Sequence, residues 1–490
     1  FEVVCSHCLT MAASTCSSPC FEALCNFGRS PRKTIASTST EVIRPAGSAG
    51  SVPRAEAQLV QLLQYEMMFT KAPLAHSSFA ALAFRLSKAS PSLLKASLSA
   101  VLANHPACAG RLLGSAVALT GDGVPFTVVE SLESSAPEVI QEIDLLRFAD
   151  FRRPTRVVKG LEPLLTMKLT SFLDGSAVLV MCHCHALLDG TSAFAFLGDW
   201  ARSARGEKTV ASRRTSALLQ ALPDEGQLYD LSQEKFGRPL AGSWTYSALK
   251  VAFDLVCPLY DRLFLAGVTG DLSRPRVYFS DTELARIKAA ATPSAGDGWV
   301  STQEALTAYI LLTIGKATLP STSRGRAIAA FALDARKALG FHLDDIIGSG
   351  VVGLKVCLSG LLQMSLPEVA GALHELAKTD LSQEAVRCQW RFTAGAACIG
   401  LGFDVMLEMM PWCNYDICLI LNNQSKRELP DFGEASGGVA ESVLTNAGPT
   451  LVLPARGGVE VFLDPSTLRA AWSAGSKRAA LEALRKEIPA

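Results

Sequence analysis

Alternation of apolar and polar positions is clearest in the middle of the chain, where two apolar runs cover 164–173 and 176–183. Asp174 and Gly175 separate these runs. An Asp-Gly pair between alternating apolar segments is typical of a two-residue type I′ turn, which requires positive φ at both positions. The pattern therefore predicts a β-hairpin with its turn at Asp174-Gly175.

Helix-start signals follow a strand-like run at 276–280. Ser280 is followed three residues later by Glu283, and Ser301 is followed in the same way by Glu304. A Ser with a Glu three positions on forms a capping box, in which each side chain accepts a hydrogen bond from the other residue's backbone N–H. We predict a helix after each of the two pairs.

The N-terminal half has weaker helix signals. Two helical stretches are predicted within 55–102, the second starting near Ser90, where Pro91 suits the first turn of a helix. Further on, Thr191 or Ser192 is expected to cap a helix, because short hydroxyl side chains accept hydrogen bonds from free N–H groups at helix starts.

This alternation of strands and helices indicates an α/β protein with two similar lobes. We divide the chain into a leader at 1–40, an N-terminal lobe at 41–205, a connecting segment at 206–275 and a C-terminal lobe at 276–490. The connecting segment contains an amphipathic stretch at 244–268, which is expected to pack on the body or to lie on a membrane surface.

Composition narrows the class of protein. The chain has 490 residues, of which 49% are hydrophobic and 19% are charged, so it can form a large core. Lys+Arg and Asp+Glu number 46 each, and a formal charge of zero argues against nucleic-acid binding. The most apolar run without charge, 175–188, has 14 residues, which is shorter than the roughly 18–20 residues of a transmembrane helix. These features favour a soluble enzyme with no transmembrane segment.

The first 40 residues are rich in Ser and Thr and lack the apolar stretch of a secretory signal. They resemble a transit peptide, so a cytoplasmic or plastid location is expected, and Met11 is a possible natural start. Cys5 and Cys8 have CxxC spacing, but no second ligand pair follows, so a zinc site is not favoured. The cysteines of this segment are Cys5, Cys8, Cys16, Cys20 and Cys25.

The candidate chemistry lies where a strand is followed by a helix. His183, Cys184 and His185 stand next to a turn containing Asp189 and Gly190. Alternation along a strand places both histidines on one face and the cysteine on the other. A histidine at such a turn can act as a general base, and this is the leading interpretation. A structural histidine, a zinc site and a Cys/His nucleophile stay open. No Gly-x-Ser-x-Gly elbow, phosphate loop or dinucleotide fingerprint occurs.

Five sequence segments, and the order in which they occur along the chain, resemble the motifs of the BAHD acyl-CoA-dependent acyltransferases. They are His185-x3-Asp189-Gly190, the His-Pro-x2-Ala-Gly-Arg-Leu segment at 105–112, Asp-Ala-Arg at 334–336, Pro-Asp-Phe-Gly at 430–433 and the closing strand at 457–462. The resemblance runs from about residue 41 to the C-terminus. Two departures mark a divergent member: Glu434-Ala435 replaces a Trp-Gly pair, and Gly348-Ser349 replaces Gly-Asn.

The resemblance implies two chloramphenicol-acetyltransferase-like lobes with the active site at their interface. It also implies acyl transfer from acyl-CoA to an alcohol, less readily an amine, of a small or lipid-like acceptor in specialised metabolism. His185 would be the general base, and no covalent acyl-enzyme would form. Acyl-CoA would be a co-substrate, with no bound cofactor and no metal, and the protein would be a monomer.

The resemblance also assigns supporting roles. Asp189 would pair with Arg336 and fix the turn that carries His185, with Gly190 and His183 in support. His105 would belong to a packing segment. Three further groups have weaker assignments: Asp431, Phe432 and Gly433 as a structural motif; Asn422, Asn423, Gln424 and Ser425 as oxyanion or acceptor contacts; and Lys426 and Arg427 as bases for CoA phosphates.

Other functions remain compatible with the same histidine motif. A wax-ester-synthase-like or condensation-domain-like acyltransferase would use the same base on a very long or carrier-bound acyl chain. A non-catalytic protein that retains the fold is the third alternative, favoured only by the altered second motif.

Overall fold

A computed structural model of the chain describes residues 34–48, 50–62, 66–67, 70, 79–140, 142–209, 213–214, 275–293, 298–321, 323, 325–334, 336, 346–380, 417–424, 426–445, 450–463 and 474–489. In this part of the chain the strands are β1 (Ile35–Ile43), β2 (Leu59–Gln61), β3 (Phe79–Leu86), β4 (Arg111–Leu113), β5 (Ala116–Ala118), β6 (Val124–Ser131), β7 (Leu165–Ser171), β8 (Ala177–Cys184), β9 (Arg213–Arg214), β10 (Arg276–Ser280), β11 (Ala327–Asp334), β12 (Ile346–Ile347), β13 (Val351–Leu358), β14 (Ile417–Asn423), β15 (Ser442–Thr445), β16 (Thr450–Ala455) and β17 (Gly458–Phe462). The α-helices are α1 (Pro91–Asn104), α2 (Glu142–Phe148), α3 (Pro154–Val158), α4 (Gly190–Ala204), α5 (Asp281–Ala291), α6 (Thr302–Thr318), α7 (Leu366–Asp380) and α8 (Ala474–Lys486).

Each lobe is built on a six-stranded mixed sheet. The N-terminal sheet has the order β1-β6-β7-β8-β3-β15, and the C-terminal sheet has the order β10-β17-β16-β14-β11-β13. Parallel pairs occur at β6–β7 in the first sheet and at β11–β14 and β14–β16 in the second. The α/β fold class with two similar lobes is therefore confirmed.

One strand from the C-terminal range of the chain, β15, belongs to the N-terminal sheet. Strand β15 leaves the C-terminal lobe and pairs antiparallel with β3, with Val443 opposite Phe84. Phe432, Ala435 and Ala440 belong to the same buried apolar cluster as the N-terminal sheet. The boundary predicted at 276–490 is thus not strict, because part of this range completes the N-terminal core.

Strand β1 begins inside the range 1–40 that was predicted as a leader. Strand β1 begins at Ile35 and runs antiparallel to β6, with Ile43 opposite Val124. Eight of its nine residues are exposed. The polar Ser and Thr positions that resemble a leader therefore form an edge strand of the sheet from Ile35 onwards.

Local turn and helix-start signals predicted their elements well. Strand β10 has the predicted bounds, and complete capping boxes form at Ser280 with Glu283 and at Ser301 with Glu304. The hairpin of β7 and β8 is also present.

Two local predictions were wrong, and a third is only partly covered by the structure. The first helical stretch predicted in 55–102 lies before Ser90, where the described residues include strands β2 and β3, while 63–65, 68–69 and 71–78 are outside the described residues. Only Gly175 of the hairpin turn has positive φ, so the connection is not the two-residue type I′ turn. The cap of α4 is Asp189, whose side chain accepts from the Ser192 N–H, rather than Thr191 or Ser192 itself.

Several predictions fall on residues that the structure does not describe. These are the amphipathic stretch at 244–268, the Cys5 and Cys8 pair near the N-terminus and most of the connecting segment. Within the described chain, none of the helices is both long and apolar enough to cross a membrane.

Candidate functional site

His185 occupies the tight turn that joins the end of β8 to the start of α4. The N–H groups of Leu187 and Leu188 donate to the Cys184 carbonyl over 2.8 and 3.2 Å, which closes the turn. Asp189 then caps the helix. His185 is partly exposed, whereas Cys184 is fully buried. The turn therefore presents the histidine and not the cysteine.

Asp189 holds this turn through a fully buried set of contacts. Its carboxylate accepts from the Ser192 N–H at 2.7 Å, from the Gly350 N–H at 2.8 Å and from the Arg336 guanidinium at 3.0 Å. Burial alone would raise the pKa of Asp189, but the Arg336 charge and the two backbone donors hold that pKa below its ordinary value. Asp189 is therefore an anion, and its oxygens are used for structure.

Arg336 connects the end of β11 to the turn. Its guanidinium donates to Asp189 and to the Asp334 carboxylate, each at 3.0 Å, and to the Gly348 carbonyl at 2.7 Å. Burial works against its positive charge, but the two carboxylates raise the pKa of Arg336 overall. A fully buried guanidinium with this many acceptors is fixed in one orientation.

The segment 348–350 is the second part of the C-terminal lobe that reaches this turn. The Ser192 hydroxyl donates to the Gly348 carbonyl at 2.7 Å, and the Asp189 N–H also points to that carbonyl. Gly350 needs to be glycine, because a Cβ there would lie 2.7 Å from the Arg336 guanidinium. The Gly348-Ser349 pair, one of the two departures noted in the sequence, therefore contacts the turn that carries His185.

Glu66 was not predicted, and it lies at the same junction. It is fully buried, and its carboxylate accepts from the Ser349 N–H at 2.9 Å. Nothing local in the sequence identifies it, since the contact joins residues that are far apart along the chain.

Burial shifts the pKa values of both histidines of the motif downwards, which favours their neutral forms. Burial lowers the pKa of His183 to about 3, with a smaller contribution from His185. Burial also lowers the pKa of His185, although the nearby Asp189 charge opposes the shift. The neutral imidazole is the form that can accept a proton, so the direction of the shift is the one that a general base requires. The Nδ1 atom of His183 has no hydrogen-bond partner in the described structure.

Residues after β14 meet the start of α4. The Gln424 amide packs on Gly190, where a Cβ would lie 2.7 Å from Nε2. Arg427 donates to the Thr191 hydroxyl at 2.9 Å. Asn423 ends β14 and is partly buried. Two of the weaker candidates can be placed only in part, since the Asn422 side chain and Ser425 are outside the described residues.

A groove of about 890 Å³ opens between α4 and the residues after Gln424. Its charged lining is mixed, with bases from both lobes and acids from the C-terminal lobe. Lys426 is exposed there, whereas Arg427 is half-buried and lies 3.6 Å from Asp334. The charged residues that line the groove are Arg202, Arg205, Asp281, Lys426, Arg427, Glu428 and Asp431.

The second motif is held by an apolar contact. Phe432 is fully buried, and its ring meets Trp200 of α4 edge-on with the centroids 5.0 Å apart. The Asp431 carboxylate accepts from the Gly433 N–H at 2.9 Å, and Gly433 has a φ of 58°. Ala435 is buried and Glu434 is exposed, so the replaced Trp-Gly pair leaves one residue in the core and one on the surface.

His105 lies in a separate polar pair. Its Nε2 atom is 2.7 Å from the Asp199 carboxylate, which also pairs with Arg202 at 2.5 Å. Both members of the pair are buried, and the His105 ring packs against Phe196. These contacts join the end of α1 to α4 and leave His105 out of the turn.

Comparison with known proteins defines first the fold. The chain aligns with vinorine synthase at a TM-score of 0.55 and 16% identity, covering 87% of this chain and 94% of that one. It aligns with TRI101 of F. graminearum, in complex with coenzyme A and T-2 mycotoxin, at a TM-score of 0.56 and 16% identity, covering 83% and 95%. The two lobes thus have the chloramphenicol-acetyltransferase-like fold.

Sequence comparison then gives the proteins to which the chain is similar. A model described as "Transferase family" matches residues 38–237. The fatty alcohol:caffeoyl-CoA acyltransferase of Arabidopsis thaliana is 31% identical over 133 residues, covering 25% of this chain and 31% of that protein. Putrescine hydroxycinnamoyltransferase 3 of Oryza sativa subsp. japonica is 23% identical over 355 residues, covering 70% and 75%. The chain spans about a third of the first of these relatives and three quarters of the second. The chain is therefore similar to named acyltransferases, among them the BAHD acyltransferase DCR of Arabidopsis thaliana, which is 29% identical over 96 residues and covers 19% of each chain.

Proposed function

We propose that this protein transfers an acyl group from a CoA thioester to a hydroxyl group, or less readily an amine, of a small-molecule or lipid-like acceptor. His185 is the general base, and no acyl-enzyme forms. The observation that carries this proposal is a partly exposed histidine at the lobe junction, on a turn that a buried ion pair holds in place.

The proposed reaction proceeds in two steps. As the acceptor oxygen attacks the thioester carbonyl carbon, His185 takes the hydroxyl proton and a tetrahedral oxyanion forms. The oxyanion then collapses and the carbon–sulfur bond breaks. The sulfur of CoA leaves with the proton from His185, so the base is regenerated. General-base assistance of this kind typically contributes about 10²–10⁴-fold to the rate.

Direct attack by the acceptor agrees with the position of Cys184. A covalent mechanism would need an accessible thiolate close to the base. Cys184 is fully buried at the end of β8, whereas His185 is partly exposed in the turn that follows. A single-displacement reaction therefore fits the site better than a cysteine acyl-enzyme.

CoA as the acyl carrier is supported by the solved structures of TRI101 with coenzyme A, which share this fold. Of the two bases assigned to CoA phosphates, Lys426 is exposed in the groove, while Arg427 already contacts Asp334 and Thr191. We therefore assign the phosphate contact to Lys426. Asn423 and Gln424 stay candidates for the oxyanion or acceptor contact.

The names of the relatives include both a fatty alcohol and the diamine putrescine. The test is therefore a panel of acetyl-, malonyl-, aromatic and long-chain acyl-CoA with alcohol and amine acceptors, monitored by release of free thiol and by product mass. We expect acceptor-dependent thiol release with formation of an ester, and no acyl adduct on the intact protein. Transfer only from acyl-carrier protein would favour a condensation-type enzyme, and no transfer from either donor would favour a non-catalytic protein.

A further inference from the structure

The start of α4 is contacted by a short turn from the C-terminal lobe, to which Gln424, Lys426 and Arg427 belong. The Arg427 N–H donates to the Gln424 carbonyl at 2.9 Å, which closes this turn. The Gln424 amide lies against Gly190, and the Arg427 guanidinium donates to the next residue, Thr191. The first two residues of α4 are therefore both in contact with this turn.

Arg427 is the last member of a row of charged side chains that starts at Asp189. Through its hydrogen bond to Thr191, Arg427 returns to the segment that contains Asp189. Asp189 contacts Arg336 at 3.0 Å, and Arg336 contacts Asp334 at 3.0 Å. Asp334 lies 3.6 Å from Arg427, which donates to Thr191 two residues after Asp189. Two positive and two negative groups thus alternate from Asp189 to Arg427.

The topology explains why these groups meet. β11 and β14 are parallel neighbours in the C-terminal sheet, with Ala332 opposite Asn422. Asp334 ends β11, and Arg427 follows shortly after the end of β14. The carboxyl ends of parallel neighbours lie at one edge of a sheet, and here that edge faces the start of α4.

The two arginines differ in their surroundings. Arg336 is completely buried, whereas the side chain of Arg427 is 16% exposed and lies at the edge of the groove. The Arg427 guanidinium is held in place by two partners, Thr191 and Asp334. The side chain of Lys426, the preceding residue, is exposed. The neighbouring bases therefore have different tasks.

We propose that Arg427 is a positioning residue for His185, acting through Thr191 and Asp334, and that it is not a ligand of the CoA phosphates. This rests on the proposed function for its kinetic consequences. Loss of Arg427 frees the start of α4, and the turn that carries His185 is continuous with that start. The rate of the chemical step should fall, while the affinity for acyl-CoA should change little.

The kinetic test compares Arg427→Gln, Thr191→Val and the double variant with the wild type. We expect Arg427→Gln to lower kcat by about tenfold to a hundredfold, the range that loss of a charged hydrogen bond implies, with the KM for acyl-CoA within about twofold. Because both single changes break the same contact, the double variant should have nearly the kcat of Arg427→Gln alone. Arg427→Lys should restore part of the rate. Lys486→Gln, which removes an exposed charge on α8, is the control.

A second readout needs no turnover. In protein labelled with ¹³C at the histidine rings, the signal of His185, assigned by its loss in His185→Ala, should shift in Arg427→Gln and in Thr191→Val. It should stay in place in Lys486→Gln, and the signal of His374 on α7 serves as the internal reference. If the wild type transfers no acyl group, the proposed function fails, and the ring signal still tests Arg427.

A raised KM for acyl-CoA with unchanged kcat would identify Arg427 as a phosphate ligand and overturn the proposal. Additive effects of the two changes on kcat, or an unmoved His185 signal in both single variants, would also overturn it.

Discussion

The turn that carries His185 is held by charges, whereas the segment around Phe432 is held by an apolar side chain. Asp189 and Arg336 are both fully buried and satisfy each other together with backbone groups of 348–350. Phe432 is equally buried, but it meets the edge of Trp200 and other carbon atoms of the N-terminal core. Both contacts cross from the C-terminal lobe to α4 or its start.

The charged contact and the apolar contact should tolerate substitution to different degrees. A buried charge that loses its partner keeps its full desolvation cost, so the charged contact depends on both residues being present. An apolar contact depends on volume and shape and weakens gradually as atoms are removed. The two family motifs should therefore respond differently to substitution, even though both lie at the lobe junction.

The largest effect is expected from Arg336→Gln. Asp189 would keep its burial and lose its positive partner, and removing one member of a buried ion pair typically costs about 3–5 kcal/mol. We expect the free energy of unfolding to fall by that amount and the activity of the remaining folded protein to be largely lost. Chemical denaturation and thiol release at a temperature where the variant is folded would measure both. A variant with normal stability would show that the pair does not hold the turn.

Phe432→Ala sharpens the comparison. Truncating a buried Phe typically costs about 3–5 kcal/mol, so the loss of stability should rival that of Arg336→Gln. Activity per folded molecule should stay close to that of the wild type, because His185 and its contacts are unchanged, and Phe432→Leu should be milder in stability. A loss of activity that persists in fully folded Phe432→Leu would assign the second motif a role in the chemistry.

Acid should lower the free energy of unfolding, because the pKa values of His183 and His185 are lowered in the folded protein. Both His183 and His185 have pKa values below the ordinary 6.5, to about 3 for His183. Below about pH 6.5 the unfolded chain therefore binds more protons than the folded one, and stability falls as the pH decreases, by about 1.4 kcal/mol per pH unit for each proton. His183→Gln should reduce this slope by about one proton between pH 6 and 4. An unchanged slope would contradict the lowered pKa of His183. The lowered pKa of Asp189 adds a further loss only at lower pH, where carboxylates titrate.

The smallest effect is expected from Lys426→Gln. An exposed base that meets a phosphate contributes a modest and salt-dependent attraction, on the order of 1 kcal/mol or less. The KM for acyl-CoA should rise about two- to fivefold at low salt, and the difference should shrink at high salt, with kcat and stability unchanged. An unaltered KM at low salt would move the phosphate contact away from Lys426.

Much of the fold could be predicted because its signals are local. The capping boxes at Ser280 and Ser301 involve residues only three positions apart, and both formed as predicted. The alanine-rich run of β3, buried on both faces, has no clear period, and its pairing with β8 and β15 shows it to be a strand. The Ser and Thr residues of β1 likewise resemble a leader until β6 is beside them.

The site shows the same division. His185, Asp189 and Gly190 could be found from a short motif at the end of a strand. The contact of Glu66 with Ser349 and that of Gln424 with Gly190 join residues from distant parts of the chain, and no local pattern announces them. Arg427 was assigned to a phosphate because charge alone is visible in a sequence, whereas the structure shows its contacts with Thr191 and Asp334.

The most direct measurement of the account is acceptor-dependent release of CoA thiol by His185→Ala, compared with the wild type and with His374→Gln on α7 as a matched control. We expect kcat to fall by about 10²–10⁴-fold in His185→Ala, with the thermal unfolding midpoint within a few degrees of the wild type and the control fully active. Undiminished turnover by folded His185→Ala would contradict the assignment of His185 as the general base.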